Sequence, residues 1–287
     1  MLWLLYALLT ALIHAVKDLL SKRLTRQVNP WLLAWAQELF AFLFMLPLLA
    51  WIPMPPIGPL FWPAAVASGL LLSAALGFYA RALRDADLSL AAPILAFTPL
   101  FMLLTSPLLI GEAPTLLGAG GIVLIVAGSY LLNIDQRHLG RWAPLQALWT
   151  QPGARSMLIT AFLFSFTANI DRIGMQNGSA LAWMVAVTGV TAALMTPLAW
   201  LLARDDLGQV RRNLPALIRQ GGLMAAVILF HMLAIEAGLV PYVIAVKRTS
   251  ALMAVALGAW LLGESGLRRR FGGALIMFAG LLLIVLG

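Results

Sequence analysis

The chain contains no cysteine. That excludes disulfides and thiolate metal sites, although it does not fix a compartment. Charge is scarce as well: Asp, Glu, Lys and Arg together make up 10% of 287 residues, and only 11 of those residues are acidic. The histidines, His14, His138 and His231, are too dispersed for a metal-ligand motif such as HExxH. There is no Walker A pattern, which excludes ATP hydrolysis at a P-loop. Glycine-rich stretches lie inside apolar runs and do not follow strands, so a dinucleotide fingerprint has no support. These absences leave no cofactor and no catalytic cluster to expect, and an enzyme is not predicted. Short alternating segments of the kind a transmembrane β-barrel needs are also missing. The amino-terminal stretch has no basic residue ahead of its apolar run and no small-residue cleavage pattern, so it reads as a retained span.

What the chain does have is apolar sequence. Hydrophobic residues are 62% of the total, and the mean hydropathy is +0.95. Apolar runs of about 20 residues recur, the length of helix that crosses a hydrocarbon core about 30 Å thick. Such spans are helices, because backbone in lipid must satisfy its own hydrogen bonds. Ten are predicted, at about 2–22, 31–52, 61–83, 89–110, 115–133, 156–175, 180–203, 215–238, 241–262 and 267–286. A polar connection at 135–155 separates a first unit, 1–134, from a second, 156–287. The expected fold is an all-α integral membrane protein.

The two units resemble each other. At a shift of 152 positions Phe78 falls on Phe230, Tyr79 on His231, and Gly111-Glu112 on Gly263-Glu264. Gly120-Gly121 then falls on Gly272-Gly273 and Gly128 on Gly280, with no gap. Asp18 and Asp171 correspond within one residue of the same shift. Five spans per unit is an odd number, so the second unit must enter the membrane in the opposite sense. Inverted repeats of this kind are a recurring transporter architecture, with the substrate near the midplane at the repeat interface.

Basic residues set the orientation. A pI near 10.8 would suggest nucleic acid in a soluble protein, but no nucleic-acid partner is expected here. Of the 19 Lys and Arg, all except Arg172, Lys247 and Arg248 flank the odd-numbered connections. The positive-inside rule puts those connections in the cytoplasm and both termini outside.

The ninth span, PYVIAVKRTSALMAVALGAWLLGE, carries the most pointed signal. Lys247 and Arg248 sit about seven residues in, roughly 10 Å from the helix end at about 1.5 Å of rise per residue. A helix-centre Lys or Arg costs about 2.5–3.5 kcal/mol on insertion scales, and such residues face a bundle interior or a cavity. Together with Thr249 and Ser250 they would attract a carboxylate or phosphate, Arg through its planar fork and Lys as a compact charge. The ordinary alternatives are snorkelling to the headgroups and an ion pair with an acid on another span.

His14, Lys17, Asp18 and Ser21 share one face of the first span. His14 and Asp18 could relay a proton, whereas an interfacial cap is the plainer reading of Lys17 and Asp18. Asn169, Asp171 and Arg172 hold the repeat-related place on the sixth span, as a gate or as an interfacial end. Glu38 lies inside the second span, where a carboxyl is either protonated or paired. It is a candidate partner for Lys247 or Arg248, or a proton-coupling site. His231 is embedded in the eighth span, and its repeat mate Tyr79 could line the same cavity. Glu112 and Glu264 each precede a helix whose amino-terminal end they would stabilise. Gly118, Gly120, Gly121 and Gly128 would allow close helix contact, and Pro93, Pro99 and Pro107 would kink the fourth span.

The repeated unit with Gly-Glu before its last, glycine-rich span resembles the EamA-type members of the drug/metabolite transporter superfamily. HAVKDLLSKRL at 14–24, AFTP at 96–99, NIDRIG at 169–174 and YVIAVKRTS at 242–250 are similar to one subgroup of them. The resemblance implies a ten-helix carrier in a bacterial inner membrane, working without ATP. Its central cavity would be lined by the first, third, fourth, sixth, eighth and ninth helices. It implies export of amino acids or other small metabolites and an anion-binding role for Lys247 and Arg248, and the embedded His14, Asp18 and Glu38 are candidates for proton or ion coupling. A carrier of lipid-linked or phosphorylated substrates and a non-transporting membrane scaffold are the alternatives.

Overall fold

The computed structural model describes residues 1–21, 24, 27–50, 56–85, 93–133, 142–262 and 267–287. Lys22, Arg23, Arg26, Pro53, Pro55, Arg137, His138, Arg141, Gly263 and Glu264 lie outside the described residues. The described chain is helical, with no strand among these residues. In order the helices are α1 (Leu2–Ser21), α2 (Pro30–Met45), α3 (Phe61–Asp85), α4 (Thr98–Ile110), α5 (Leu116–Asn133), α6 (Ala143–Thr150), α7 (Pro152–Gln176), α8 (Ala180–Ala203), α9 (Gly208–Arg212), α10 (Leu214–Ala237), α11 (Val240–Lys247), α12 (Ser250–Leu262) and α13 (Leu267–Leu286). Six described helical segments are long and apolar enough to cross a membrane, and 116–132 and 271–286 are shorter apolar helices. Large apolar side chains such as Leu108 and Leu116 stand on the outside, 84% and 95% exposed. A surface of that kind suits lipid and not water.

Three local features differ from the sequence expectation. The second span stays α-helical only to Met45 and continues as a 3-10 segment, Leu46–Ala50. The polar connection holds a helix of its own, α6, with Pro144 in its first turn, and the sixth span starts at Pro152, not at 156. The ninth span is not continuous. It breaks at Arg248–Thr249, between α11 and α12.

The packing follows the repeat. The most extensive helix pair is α5 with α13, and the next are α3 with α7 and α1 with α10. Exchanging the two units converts α1–α10 into α7–α3. The same exchange relates α4–α7 to α12–α1, and α3–α8 to α10–α2, all of which are packed pairs. At the α5–α13 contact the backbones meet through glycine. A Cβ on Gly121 would lie 2.6 Å from the Gly280 carbonyl oxygen, and one on Gly128 2.6 Å from that of Gly273. Gly121 meets Gly280 and the later Gly128 meets the earlier Gly273, so these two repeat-related helices run antiparallel. Gly118 receives the ring of Tyr242, while Gly120, expected at a helix contact, has nothing within 4 Å.

The short connections are tied crosswise. The Asn29 side chain caps α2 through the Trp31 N–H and donates to Asp206 across the bundle. Asn177 accepts from the N–H groups of Gly58 and Leu60. In each case the first connection of one unit holds the second connection of the other.

Candidate functional site

The two breaks in the spans build the site. Helical residues 93–95 give way to turns at Ala96 and Phe97, and α4 starts at Thr98 with Pro99 in its first turn. Turns at Arg248 and Thr249 separate α11 from α12 in the same way. A shift of 152 carries Ala96 onto Arg248 and Phe97 onto Thr249, so the breaks occupy one repeat position. Both turn tightly: the Phe97 N–H donates to Ile94, and the Arg248 N–H to Ala245. Each break spends a threonine hydroxyl on the preceding turn, Thr98 on the Leu95 carbonyl and Thr249 on that of Val246. Pro107 lies inside α4. The sequence shows the prolines and the Lys-Arg-Thr-Ser run, but not that both spans stop there.

Arg248 bridges the breaks. Its Nη2 donates to Thr98 Oγ1 at 2.7 Å, and its buried Nε has no hydrogen-bond partner. Lys247 makes no ion pair among the described residues, so the internal pair with an acid expected as one alternative is absent there. Glu38 is only 2% exposed. It pairs neither with Lys247 nor with Arg248, and its carboxyl has no partner among the described residues. The charges of Lys17 and Lys247 still act on it. Thr249 is buried and its hydroxyl is engaged within its own chain segment. Ser250 opens α12.

Around this pair the bundle gathers polar groups from other helices. On α1, His14 Nδ1 lies 3.0 Å from Asp18 Oδ2, and Lys17 Nζ 3.4 Å from Asp18 Oδ1. Lys17 is buried, not an interfacial cap, and Asp18 keeps 52% of its side chain exposed. Ser21 donates to Gln220 Oε1 at 3.0 Å, joining α1 to α10. Tyr79 on α3 lies within the fields of Asp18 and Arg248. His231 on α10 senses Lys247, His14 and Arg248, and its Nδ1 is buried without a partner. His14, Asp18, Glu38, Tyr79, His231, Lys247 and Arg248 thus form one neighbourhood. Glu38 adds α2 to the helices expected around it.

The sixth-span motif divides. Asp171 does not pair with the adjacent Arg172. Its Oδ1 accepts from Ser68 Oγ at 2.9 Å and from Trp183 Nε1 at 3.1 Å. Its charge nonetheless reaches Lys247. Asn169 has its amide fully engaged with Thr105, Ser106 and the Ser165 carbonyl, which fastens α4 to α7. Arg172 lies apart: its Nε is 3.1 Å from Glu112 Oε1, and its Nη1 donates to the carbonyls of Ile235 and Glu236. Glu112 does not serve the helix that follows it. Its Oε2 accepts from the Val240 N–H at 2.8 Å, capping α11 from 128 residues away.

Among the described residues no three His, Asp or Glu side chains converge to hold a metal ion. The arrangement instead offers two cations on interrupted spans, one with an unused donor, beside acids and imidazoles. Such groups have the chemistry to pair with an anion and to exchange protons. The groups that sequence reasoning missed are Thr98 and Gln220. Thr98 sits in the AFTP run at the break, which was the available signal.

Comparison with known proteins fits a membrane carrier. Residues 1–134 match the model of the EamA-like transporter family. The apolar helices make a multi-pass membrane protein, in keeping with that match. No curated protein matches the chain. A solved structure described only as "Crystal structure of protein" is similar over 98% of this chain and 96% of its own, with a TM-score of 0.77 at 18% identity. That likeness shows a shared fold.

Proposed function

We propose that this protein is a secondary transporter that exports a small organic metabolite carrying a carboxylate or another anionic group. Ten spans in two inverted five-span repeats would alternate access to a fixed central site, without ATP. The first repeat is residues 1–134, the second 156–287, and 135–155 joins them. The membrane is a bacterial inner membrane, with the basic connections inside and both termini outside, as the charge bias requires. The antiparallel contact of α5 with its repeat mate α13 supports the inversion.

The observation that carries the reading is the pair of helix breaks at one repeat position, bridged by Arg248 and Thr98. Interrupted spans at the interface of two repeats are where carriers bind substrate. Lys247 and Arg248 bind the anionic group, with Thr249, Ser250, Tyr79 and His231 around it. His14, Asp18 and Glu38 move the coupled proton, and Asn169 and Asp171 hold the neighbouring helix in register. Metabolites inside and outside cells expressing wild type, Lys247→Ala or empty vector test this. A small acid accumulating outside with wild type alone is the expected result. Equal export by wild type and Lys247→Ala would remove the anion site. No change in any small metabolite with well-expressed wild type would remove export itself.

A further inference from the structure

The polar cluster described above leaves one ion pair unexplained. Arg172 and Glu112 meet at the end of the bundle that bears both chain termini, far from the basic connections. Four structural elements converge on them. Arg172 comes from α7 and Glu112 from the link between α4 and α5. The carbonyls of Ile235 and Glu236 close α10, and the Val240 N–H opens α11. The pair is largely enclosed, with side chains 22% and 13% exposed. An open cleft lined by Trp3, Arg172, Glu236, Leu239 and Tyr242 lies over it, and the packing closes beneath. Tyr242 hydrogen-bonds Thr115 and stacks at a tilt on Trp3, and Val240 to Val246 are all buried. The other end differs: Asp18, three residues before the end of α1, is half-exposed although Lys247 and Tyr79 feel its charge. The basic end thus exposes one member of the central cluster, whereas Ala168, one turn below Arg172, is 4% exposed.

A partly enclosed ion pair of this kind has a specific property. Either partner alone is left with carbonyls or an N–H to satisfy, but the two together join both units through one contact. Glu112 belongs to the first unit and every other member to the second. An opening of this end that separates the units must break the pair, whereas an opening of the basic end leaves it untouched.

We propose that Glu112–Arg172 is a latch that holds the terminus-bearing end closed and sets the balance between the two open states of the carrier. The proposal rests on the transport reading for its purpose, but not for its test. Because the chain has no cysteine, single reporters can be placed without background. Ala168→Cys lies one turn deeper on the same face of α7 as Arg172, at a position 4% exposed. Asp18→Cys lies at the open end. Each is labelled with a charged, membrane-impermeant thiol reagent in membranes, with the latch intact or carrying Glu112→Gln or Arg172→Lys. Gln keeps an acceptor for the Val240 N–H, and Lys keeps the charge, so neither removes the site wholesale. Labelling at 168 is expected to quicken at least about tenfold, with labelling at 18 slowed, as a shift between two states requires. Unchanged labelling at both positions in folded protein overturns the latch. Faster labelling at both means loosened structure, and also overturns it. A reciprocal shift, with a wild-type chain that moves no metabolite, leaves the latch standing and removes the transport reading.

Discussion

The break in the fourth span and the break in the ninth share a backbone and little else. One is Ala96–Phe97, apolar on both residues; the other is Arg248–Thr249, preceded by Lys247. At the first, Phe97 stacks on Tyr130 with ring centroids 6.2 Å apart. At the second, Arg248 reaches across to Thr98 and keeps an unused donor. The two breaks thus share an interrupted helix, and only the second carries charge. The lesson is that the two halves of a repeat can share a shape while only one of them carries the chemistry.

The largest way to break this asymmetry is Arg248→Ala. Removing one partner of a buried, charge-assisted contact costs about 2–5 kcal/mol, so apparent substrate affinity should fall by about 30-fold or more. Uptake into inverted membrane vesicles across a range of substrate concentrations would read it. Thr98→Val is smaller, because it withdraws a neutral acceptor worth about 1 kcal/mol and should raise KM by about fivefold. In the double variant the Thr98 effect should vanish, since Arg248 is the group through which it acts. Ser250→Ala tests the repeat mate of Thr98, for which no hydrogen bond accompanies the position, and should change KM by less than about twofold. Phe97→Leu keeps the first break apolar and should change transport least, again within about twofold. If Phe97→Leu matched Arg248→Ala, the difference between the two breaks would carry no functional meaning.

How much of this was legible beforehand depends on how local the signal is. Six described helical segments lie where apolar runs put them, because span length is a property of contiguous sequence. The repeat was legible from one fixed offset, and the glycines at 121, 128, 273 and 280 prove to be where its mates touch. The break at Arg248 was not legible. Its residues are visible as misplaced charge, but the flanks, 241–246 and 251–262, are apolar and read as one helix. The helix α6 was missed because a short amphipathic turn does not stand out in a polar connection, although Pro144 marked its start. Glu112 was assigned to the nearest helix end, and it caps one 128 residues on. Arg172 and Asp171 are adjacent in sequence yet point to different partners, Glu112 and Ser68. Partners separated by that much chain are decided by packing, which no window of sequence contains.

The glycine contact between α5 and α13 has a consequence for how this chain can change over generations. Each glycine there presses on a carbonyl of the other copy, so no larger residue can enter on one side without displacing backbone on the other. Elsewhere, facing lipid or the central cluster, the two units place no such constraint on each other, and there Arg248 stands at the position that Ala96 holds in the first unit. Where they touch, they are bound to the same residue by each other. A change on the face that α5 and α13 share is therefore felt at once by the backbone of the other unit.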